Sequence, residues 1–317
     1  MDILDLADYK LPDLVDSPLK IQGKKTVLVG PIFNLIRSIT EEHKIHTVVE
    51  PFAGTGVVGM NLFNLLNCFE EGPGQDKWCN VHMFDSCKDF VNFFNRIQFL
   101  AQNPNEMAFA VYNQYLSDLV YMVNLDKANY YRLRNDFNKN KDKMPPAQRD
   151  FIFLFLNRTA FNGIVRYNKS GGLNTPFGKN LVVDGSLQTL MANVDIATQL
   201  FSNKSNFKLT YMKNDFRDTI SLFEDEPTVF YCDPPYLNRN AQYHDGWTQK
   251  DQNDLRTMLL NSKNKFIVSS WNDVQGSNDA ELNKWTNCQQ FGFAHKYMVG
   301  PKEENRPQII EVLIVRA

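Results

Sequence analysis

The string Val-Phe-Tyr-Cys-Asp-Pro-Pro-Tyr, residues 229–236, sets a carboxylate directly after an apolar run. Proline fixes φ and has no N–H to donate, so Pro234 and Pro235 stop the strand just after Asp233. In an open α/β sheet, ligands bind beyond the carboxyl ends of the strands. Asp233, two backbone carbonyls of restricted geometry and the Tyr236 ring are therefore candidates to face one pocket. Asp-Pro by itself is an ordinary strand-ending turn, and the four-residue string takes its meaning from the rest of the chain.

A second group with chemical potential lies upstream. Gly54, Gly56 and Gly59 form a G-x-G-x-x-G pattern between the apolar strand 47–50 and a helical apolar pattern, the setting of a nucleotide-type cofactor. The pattern does not separate a nicotinamide dinucleotide from S-adenosylmethionine, and a tight turn without any ligand satisfies it as well. Asp85, ending the next strand, is placed for ribose hydroxyls in either case. Glu50 and Pro51 directly before the loop, with Asp233 at a later strand end, favour a cofactor carrying a sulfonium and an ammonium over one carrying a pyrophosphate.

These groups need a sheet to hold them. Residues 47–50, 81–85, 207–212, 228–232 and 265–270 read as strands, with helical stretches between them such as the one from Asp89. The pair 294–299 and 309–315 reads as a closing antiparallel hairpin. Such alternation predicts an α/β fold, a mostly parallel sheet covered by helices on both faces. Between residues 101 and 205 the alternation lapses into Tyr- and Asn-rich helical stretches, a break at Pro145 and Pro146, a helix over 147–157 and a Gly-rich patch over 162–178. This predicts an inserted second domain, with 1–100 and 206–317 forming the two portions of the catalytic domain.

Composition narrows the class. A chain of 317 residues, 43% hydrophobic and 13% aromatic, can bury a substantial core. Its longest strongly apolar run, residues 151–156, is too short to span a bilayer, so the chain reads as soluble and cytoplasmic, with no membrane partner. Five irregularly spaced cysteines form neither a paired framework nor a metal signature, and no metal is expected. The net charge of −2 is unevenly spread: residues 101–180 carry eleven Lys and Arg against six Asp and Glu, or +5, leaving −7 for the remainder. A basic surface on the insert suits nucleic acid, although a solvated helical face with 138–143 as a loop accounts for it equally.

Taken in order, VVEPFAGTGVVGMN and DPPY, separated by the insert, resemble the Dam-like, or D12, class of DNA adenine-N6 methyltransferases. Three further stretches strengthen the resemblance. SPLKIQGKK (17–25) is similar to the family's amino-terminal cofactor motif, residues 155–179 to its DNA-reading hairpin at about 158–179, and NRPQIIEVLI to its closing hairpin. The likeness runs from about residue 17 to the end. It implies a Rossmann-like, doubly wound sheet with a C-terminal antiparallel hairpin and a mainly helical target-recognition domain with a β-hairpin at 101–205.

The resemblance implies a role for each matched residue. S-adenosylmethionine would be held by Lys25, Glu50, Pro51, Phe52, Gly54, Gly56, Asp85, Asp215, Phe216 and Asp233, with Lys25 at the methionine portion and Asp215 and Phe216 at the adenine; for Asp215 a plain turn acid is a near-equal reading. Ile21 stands where many members have a stacking tryptophan, and Lys24 where a second glycine is usual. Asp233 and the Pro234 carbonyl would each accept one N–H of the target amine, turning its lone pair toward the methyl group, with Pro235 stiffening the turn. Tyr236 would stack on an adenine turned out of the duplex, a contact of about 1–3 kcal/mol per base. Lys20, Arg158, Phe161, Asn162, Arg166, Asn168 and Pro176 would meet double-stranded DNA, Phe161 as a wedge and Arg166 on a guanine; a structural ion pair serves equally for Arg158, and core packing is the competing role for Phe161. Ser269 and Ser270 would shape the pocket, Trp247 and Thr248 would close a loop and cap the following helix, and His244 reads as a solvated loop residue. The family further implies a monomer, the site GATC or a related short palindrome, and service either alone or beside a restriction endonuclease of the same site. A nicotinamide oxidoreductase, an RNA or protein-amide methyltransferase and a DNA-binding protein on an inactive scaffold remain open here.

Overall fold

The computed structural model describes residues 2–11, 14–21, 23, 25–67, 79–104, 114, 117–118, 127–178, 186–202, 207–237, 246–273, 275–296 and 308–317. Among the described residues eight strands form one sheet: β1 (Asp2–Leu4), β2 (Thr47–Glu50), β3 (Asn80–Asp85), β4 (Leu209–Lys213), β5 (Val229–Cys232), β6 (Lys265–Asp273), β7 (Gln289–Lys296) and β8 (Gln308–Arg316). Their order is β1-β7-β8-β6-β5-β2-β3-β4. All neighbours run parallel except β6 with β8 and β7 with β8. The α/β reading, mostly parallel with a closing antiparallel pair, is therefore correct.

From β2 the chain builds β3 and β4 to one side, then returns to lay β5 on the other. The strand order thus reverses between β2 and β5, so a crevice opens beyond their carboxyl ends. Glu50 ends β2 and Asp233 follows β5, which brings the two sequence motifs to that point.

Alternate strand residues serve opposite faces. Val48, Val229, Tyr231, Ile267 and Leu313 enter one core with α1 (Val29–His43), α2 (Val57–Asn67) and α3 (Lys88–Gln102). Val49, Phe230, Cys232, Val268 and Val312 enter a second, with α7 (Phe216–Leu222), α8 (Gln249–Asn261) and α9 (Asp279–Leu282). Helices α4 (Lys127–Asn140), α5 (Pro146–Thr159) and α6 (Ser186–Leu200) come from the region where alternation lapses. They join the first core instead of forming one of their own, α5 packing between α3 and α4. Residues 151–156 are all buried, which accounts for the unbroken apolar run: this helix is covered on every side.

Several boundaries differ from expectation. Strand β4 begins at Leu209, β7 begins at Gln289, and β1 pairs in parallel with β7. Residues 138–140 finish α4 and only 141–143 turn away from it, because Asn138 faces inward to bracket Leu173, donating to its carbonyl at 2.9 Å and accepting from its N–H at 2.8 Å. Residues 160–178 form an antiparallel loop fixed at two bridges, Ala160 with Phe177 and Tyr167 with Leu173. Glycines and Pro176 interrupt any longer ladder there. Gln22, Lys24, Lys179 and His244 lie outside the described residues, as do 297–307 between the last two strands.

Candidate active site

The glycine loop is held from three strands. Gly54 has φ +52°, a backbone region open to glycine, and both of its hydrogen-bonding groups are engaged. Its N–H donates to Asp85 Oδ2 at 2.7 Å, and its carbonyl accepts from the Tyr211 hydroxyl of β4 at 2.7 Å. Tyr211 in turn stacks on Phe94 of α3, centroids 4.3 Å apart. Asp85 also accepts from the Cys87 N–H at 2.8 Å, and burial pushes its carboxyl up to about 6 against the pull of the Cys87, Gly54 and Ser86 amides. These three amides leave about one of its four acceptor sites for a ligand. Glu50 turns back onto the first turn of α2, accepting from the Gly59 N–H at 3.0 Å. A side chain at Gly59 would put Cβ 2.4 Å from Met83 Sδ and 2.7 Å from Glu50 Oε2, so the position admits no larger residue without displacement. Burial, and then the neighbouring Asp233 charge, hold the Glu50 carboxyl well above the usual carboxylate range.

Opposite this loop, Asp233 emerges from a fully buried strand, its side chain 23% exposed. Lys25 Nζ lies 3.3 Å from Asp233 Oδ1, 3.6 Å from Glu311 Oε2 and 4.7 Å from the centre of the Tyr236 ring. The Tyr236 hydroxyl donates to Glu311 Oε2 at 3.0 Å. Burial raises the Asp233 carboxyl to about 6, with Lys25 opposing and Glu311 adding to the rise. Pro234, Tyr236, Ser269, Ser270, Trp271 and Trp285 line a recess beside this group. Ser269 shares a 2.9 Å hydrogen bond with the buried Tyr231 hydroxyl.

Described residues between 14 and 25 touch both the glycine loop and α5. Asn61 of α2 accepts from the Val15 N–H and donates to its carbonyl, at 2.7 and 2.8 Å. The Ser17 hydroxyl donates to the Thr55 carbonyl at 2.6 Å. Buried Asn157, on α5, grips Lys20 in the same two-ended way, at 2.7 and 2.8 Å. Ile21 lies over the loop, its Cδ1 3.8 Å from where a Gly54 Cβ would stand. Lys25, expected at the methionine portion of a cofactor, lies beside Asp233.

Two cations meet at this segment. Burial, then Arg158, lowers the Lys20 ammonium, and burial lowers Arg158 itself, which donates to the Pro18 carbonyl at 3.4 Å. Among the described residues Arg158 has no carboxylate partner. Gly163, φ +64°, packs on Lys20 so closely that a Cβ would lie 2.5 Å from the Lys20 Cβ. Beside it Phe161 is 47% exposed, and Asn162 is exposed with φ +53°. Arg166 Nη2 donates to the Asn174 carbonyl at 2.9 Å. Asn168 Oδ1 accepts from Ser170 and Gly172 N–H groups at 3.0 and 2.9 Å, and the Pro176 carbonyl accepts from Phe161 N–H at 2.9 Å. Both Arg166 and Asn168 thus brace their own loop.

On the other side of the glycine loop Phe52 stacks with Phe216 at 5.3 Å, and Trp247 closes against both at 5.5 and 5.4 Å. Asp215 caps α7, accepting from Arg217 N–H at 2.9 Å. Thr248 caps α8 in a reciprocal box with Asp251, as the sequence implied. Sequence reasoning missed Glu311, Tyr211 and Asn157. A lone acid inside Ile-Ile-Glu-Val-Leu-Ile-Val was the available signal for the first, since buried carboxylates are rare without a partner.

The sequence model of one family, the D12 class N6 adenine-specific DNA methyltransferases, matches residues 22–293. The type II methyltransferase M.MjaIII of Methanocaldococcus jannaschii is 29% identical over 244 residues, 74% of each chain. A DNA adenine methylase of Vibrio cholerae is 30% identical over 240 residues, 74% of this chain and 72% of that one. One of Haemophilus influenzae is 30% identical over 198 residues, 61% and 56% of the respective chains. The solved rRNA methyltransferase aviRa from Streptomyces viridochromogenes aligns with a TM-score of 0.35 at 9% identity over 98% of this chain and 93% of its own, too slight a likeness to bear weight.

Proposed function

We propose, from the premise that the chain belongs to the D12 class of N6 adenine-specific DNA methyltransferases, that it methylates the exocyclic amine of an adenine turned out of a short duplex site. The observation that carries this reading is Asp233-Pro-Pro-Tyr at the β2/β5 reversal, facing the glycine loop. Family membership sets aside the oxidoreductase that the glycine pattern alone left open.

The residues at the loop suit S-adenosylmethionine. Glu50 and Asp85 offer carboxylates to a cationic ligand, Gly54 and Gly56 bring backbone close, and Phe52, Phe216 and Trp247 offer an aromatic wall for an adenine. S-adenosylmethionine, when bound, supplies a methyl group on a sulfonium. The remaining work falls to the protein. The amine of adenine is a weak nucleophile because its lone pair is delocalised into the ring. Ionised Asp233 and the Pro234 carbonyl accept its two N–H bonds, fixing the nitrogen and releasing the lone pair. This is preorganised electrostatics and positioning, with no strong base required. A base stacking on Tyr236 takes the face opposite Lys25, because the ammonium covers the other.

In this reading residues 101–205 serve target recognition and the flanking portions catalysis. Phe161 and Asn162 are exposed and half-buried Lys20 and Arg158 lie near them, suited to a wedge and to phosphate or base contacts. Pro176 lies in the same loop; Arg166 and Asn168 would have to leave their loop partners to reach a base. The site is GATC or a related short palindrome, and the enzyme acts as a monomer in the cytoplasm, alone or beside an endonuclease of the same site. Among the described residues no helix is long and apolar enough to cross a membrane. Methyl transfer from labelled S-adenosylmethionine to unmethylated genomic DNA, with modified positions mapped by sequencing, tests the proposal. Methyl-adenine at one short motif, lost in Asp233→Ala, is expected. Transfer to RNA alone, or to no nucleic acid while the donor still binds, would overturn it.

A further inference from the structure

Glu311 is the one acid in β8, flanked by Ile310 and Val312–Val315, all buried, and is itself only 2% exposed. A carboxylate in a strand interior is costly unless its charge is matched. Its side chain shares a face with Leu313 and Val315, the face covered by the segment that carries Lys25. There Oε2 receives the Tyr236 hydroxyl at 3.0 Å and stands 3.6 Å from Lys25 Nζ. The same ammonium is 3.3 Å from Asp233 Oδ1 and lies over the Tyr236 ring. One cation is therefore shared between two carboxylates, and one of them also anchors the aromatic ring.

We propose that Glu311 is a positioning residue: it holds the Tyr236 hydroxyl and takes part of the Lys25 charge, so that the ring is fixed and Asp233 keeps lone-pair capacity for a substrate N–H. Without Glu311, Lys25 would close fully on Asp233 and compete with the substrate. The inference rests on the adenine-methylation reading for its purpose, but its geometry is independent of the substrate. Among the described residues, the charged and titratable groups facing Asp233 are Lys25 from the 25–28 turn, Glu50 from β2, Tyr231 and Cys232 from its own strand, Tyr236 from its own loop and Glu311 from β8. Glu311 adds to the upward push on Asp233 while Lys25 opposes it, so both consequences of removing the Glu311 charge act in one direction.

The test is Glu311→Gln, which retains an acceptor for Tyr236 and cancels the charge. Carbon-13 carboxyl resonances of Asp233, assigned with Asp233→Asn, are followed through pH without donor or DNA. In parallel, single-turnover methyl transfer from labelled S-adenosylmethionine to unmethylated DNA is measured. The Asp233 midpoint is expected at lower pH than in the wild type, with kcat down on the order of tenfold, the scale of one charge-assisted contact, and the KM for DNA little changed. An unmoved midpoint with wild-type kcat overturns the proposal even if the enzyme methylates adenine as expected. A moved midpoint in a protein that transfers no methyl to DNA sustains the positioning role and sinks the adenine reading instead. Should Glu311→Gln fail to fold, Glu311→Asp keeps the charge and draws it back from Lys25 and Tyr236. Lys25 then closes on Asp233 and the Asp233 midpoint falls; a midpoint left in place overturns the proposal.

Discussion

Replacing Lys25 by Met removes the cation nearest the candidate catalytic carboxylate. Unit charges 3.3 Å apart attract by about 5 kcal/mol at an effective dielectric constant of about 20. Asp233 is 23% exposed and shares the lysine with Glu311, so halving the figure for screening and sharing leaves roughly 2.5 kcal/mol, or about two pH units. The wild-type acid limb of methyl transfer is expected near the Asp233 value of about 6; in Lys25→Met it is expected near about 8. At about pH 7 the variant then has roughly a tenth of its Asp233 ionised against nine-tenths in the wild type, and kcat falls about tenfold. At about pH 9 most of that loss is recovered. Single-turnover transfer at saturating donor and DNA, across about pH 5.5 to 9.5, reads the two limbs directly. A variant curve lowered equally at every pH would refute the reasoning. So would a defect confined to the KM for the donor, which is what a lysine holding the methionine carboxylate would give.

Other outcomes follow from contacts described above. Asn157→Ala deprives the Lys20 N–H and carbonyl of their partner and is expected to cost about 2–4 kcal/mol in urea unfolding; a loss under about 0.5 kcal/mol, the scale of a neutral surface change, would mean that water replaces it. Phe161→Ala, at an exposed position, should leave stability within about 0.5 kcal/mol yet abolish most of the fluorescence rise of 2-aminopurine at the target base, and an undiminished rise removes Phe161 as the wedge. The protein without ligands should be more stable at about pH 5 than at about pH 7. Asp85 and Asp233 are each raised from 3.8 to about 6, so the folded state holds their protons more tightly, and their contribution is largest below the unfolded value and is lost as pH rises to about 6. A urea midpoint that is flat or climbs across this window contradicts those shifts.

Much of the scaffold was legible because short-range rules govern it. Alternation in Val48-Val49 and Val229–Cys232, the glycines after β2 and the prolines after β5 each act locally, and together they place two motifs at one crevice. What escaped depends on contacts between distant parts of the chain. The Asn157 grip on Lys20 spans 137 residues, and nothing in the sequence of either partner names the other. For the lysine of the amino-terminal motif, which the resemblance places at a cofactor, the sequence did not show the two carboxylates beside it, Asp233 and Glu311. Arg166 and Asn168 carry the right groups for base edges, but the loop has few regular ladder bonds and draws on those groups for its own closure. The lapse of alternation after residue 101 gave no sign that α5 would be buried against α3, in the same core as β2.

The three residues of β1 have a consequence for handling the protein. They pair along Phe291–Phe293 of β7, and Tyr9 follows them to set its ring edge-on to Phe293 at 5.7 Å. In this sheet β1 is the cover on what would otherwise be an open border of an eight-residue strand. Trimming residues 2–9 would touch nothing in the crevice, yet it would expose unpaired N–H and carbonyl groups ready to template another copy. Leu4, Leu6 and Tyr9 also pack on the first core, so a shortened chain would lose part of that cover together with its solubility.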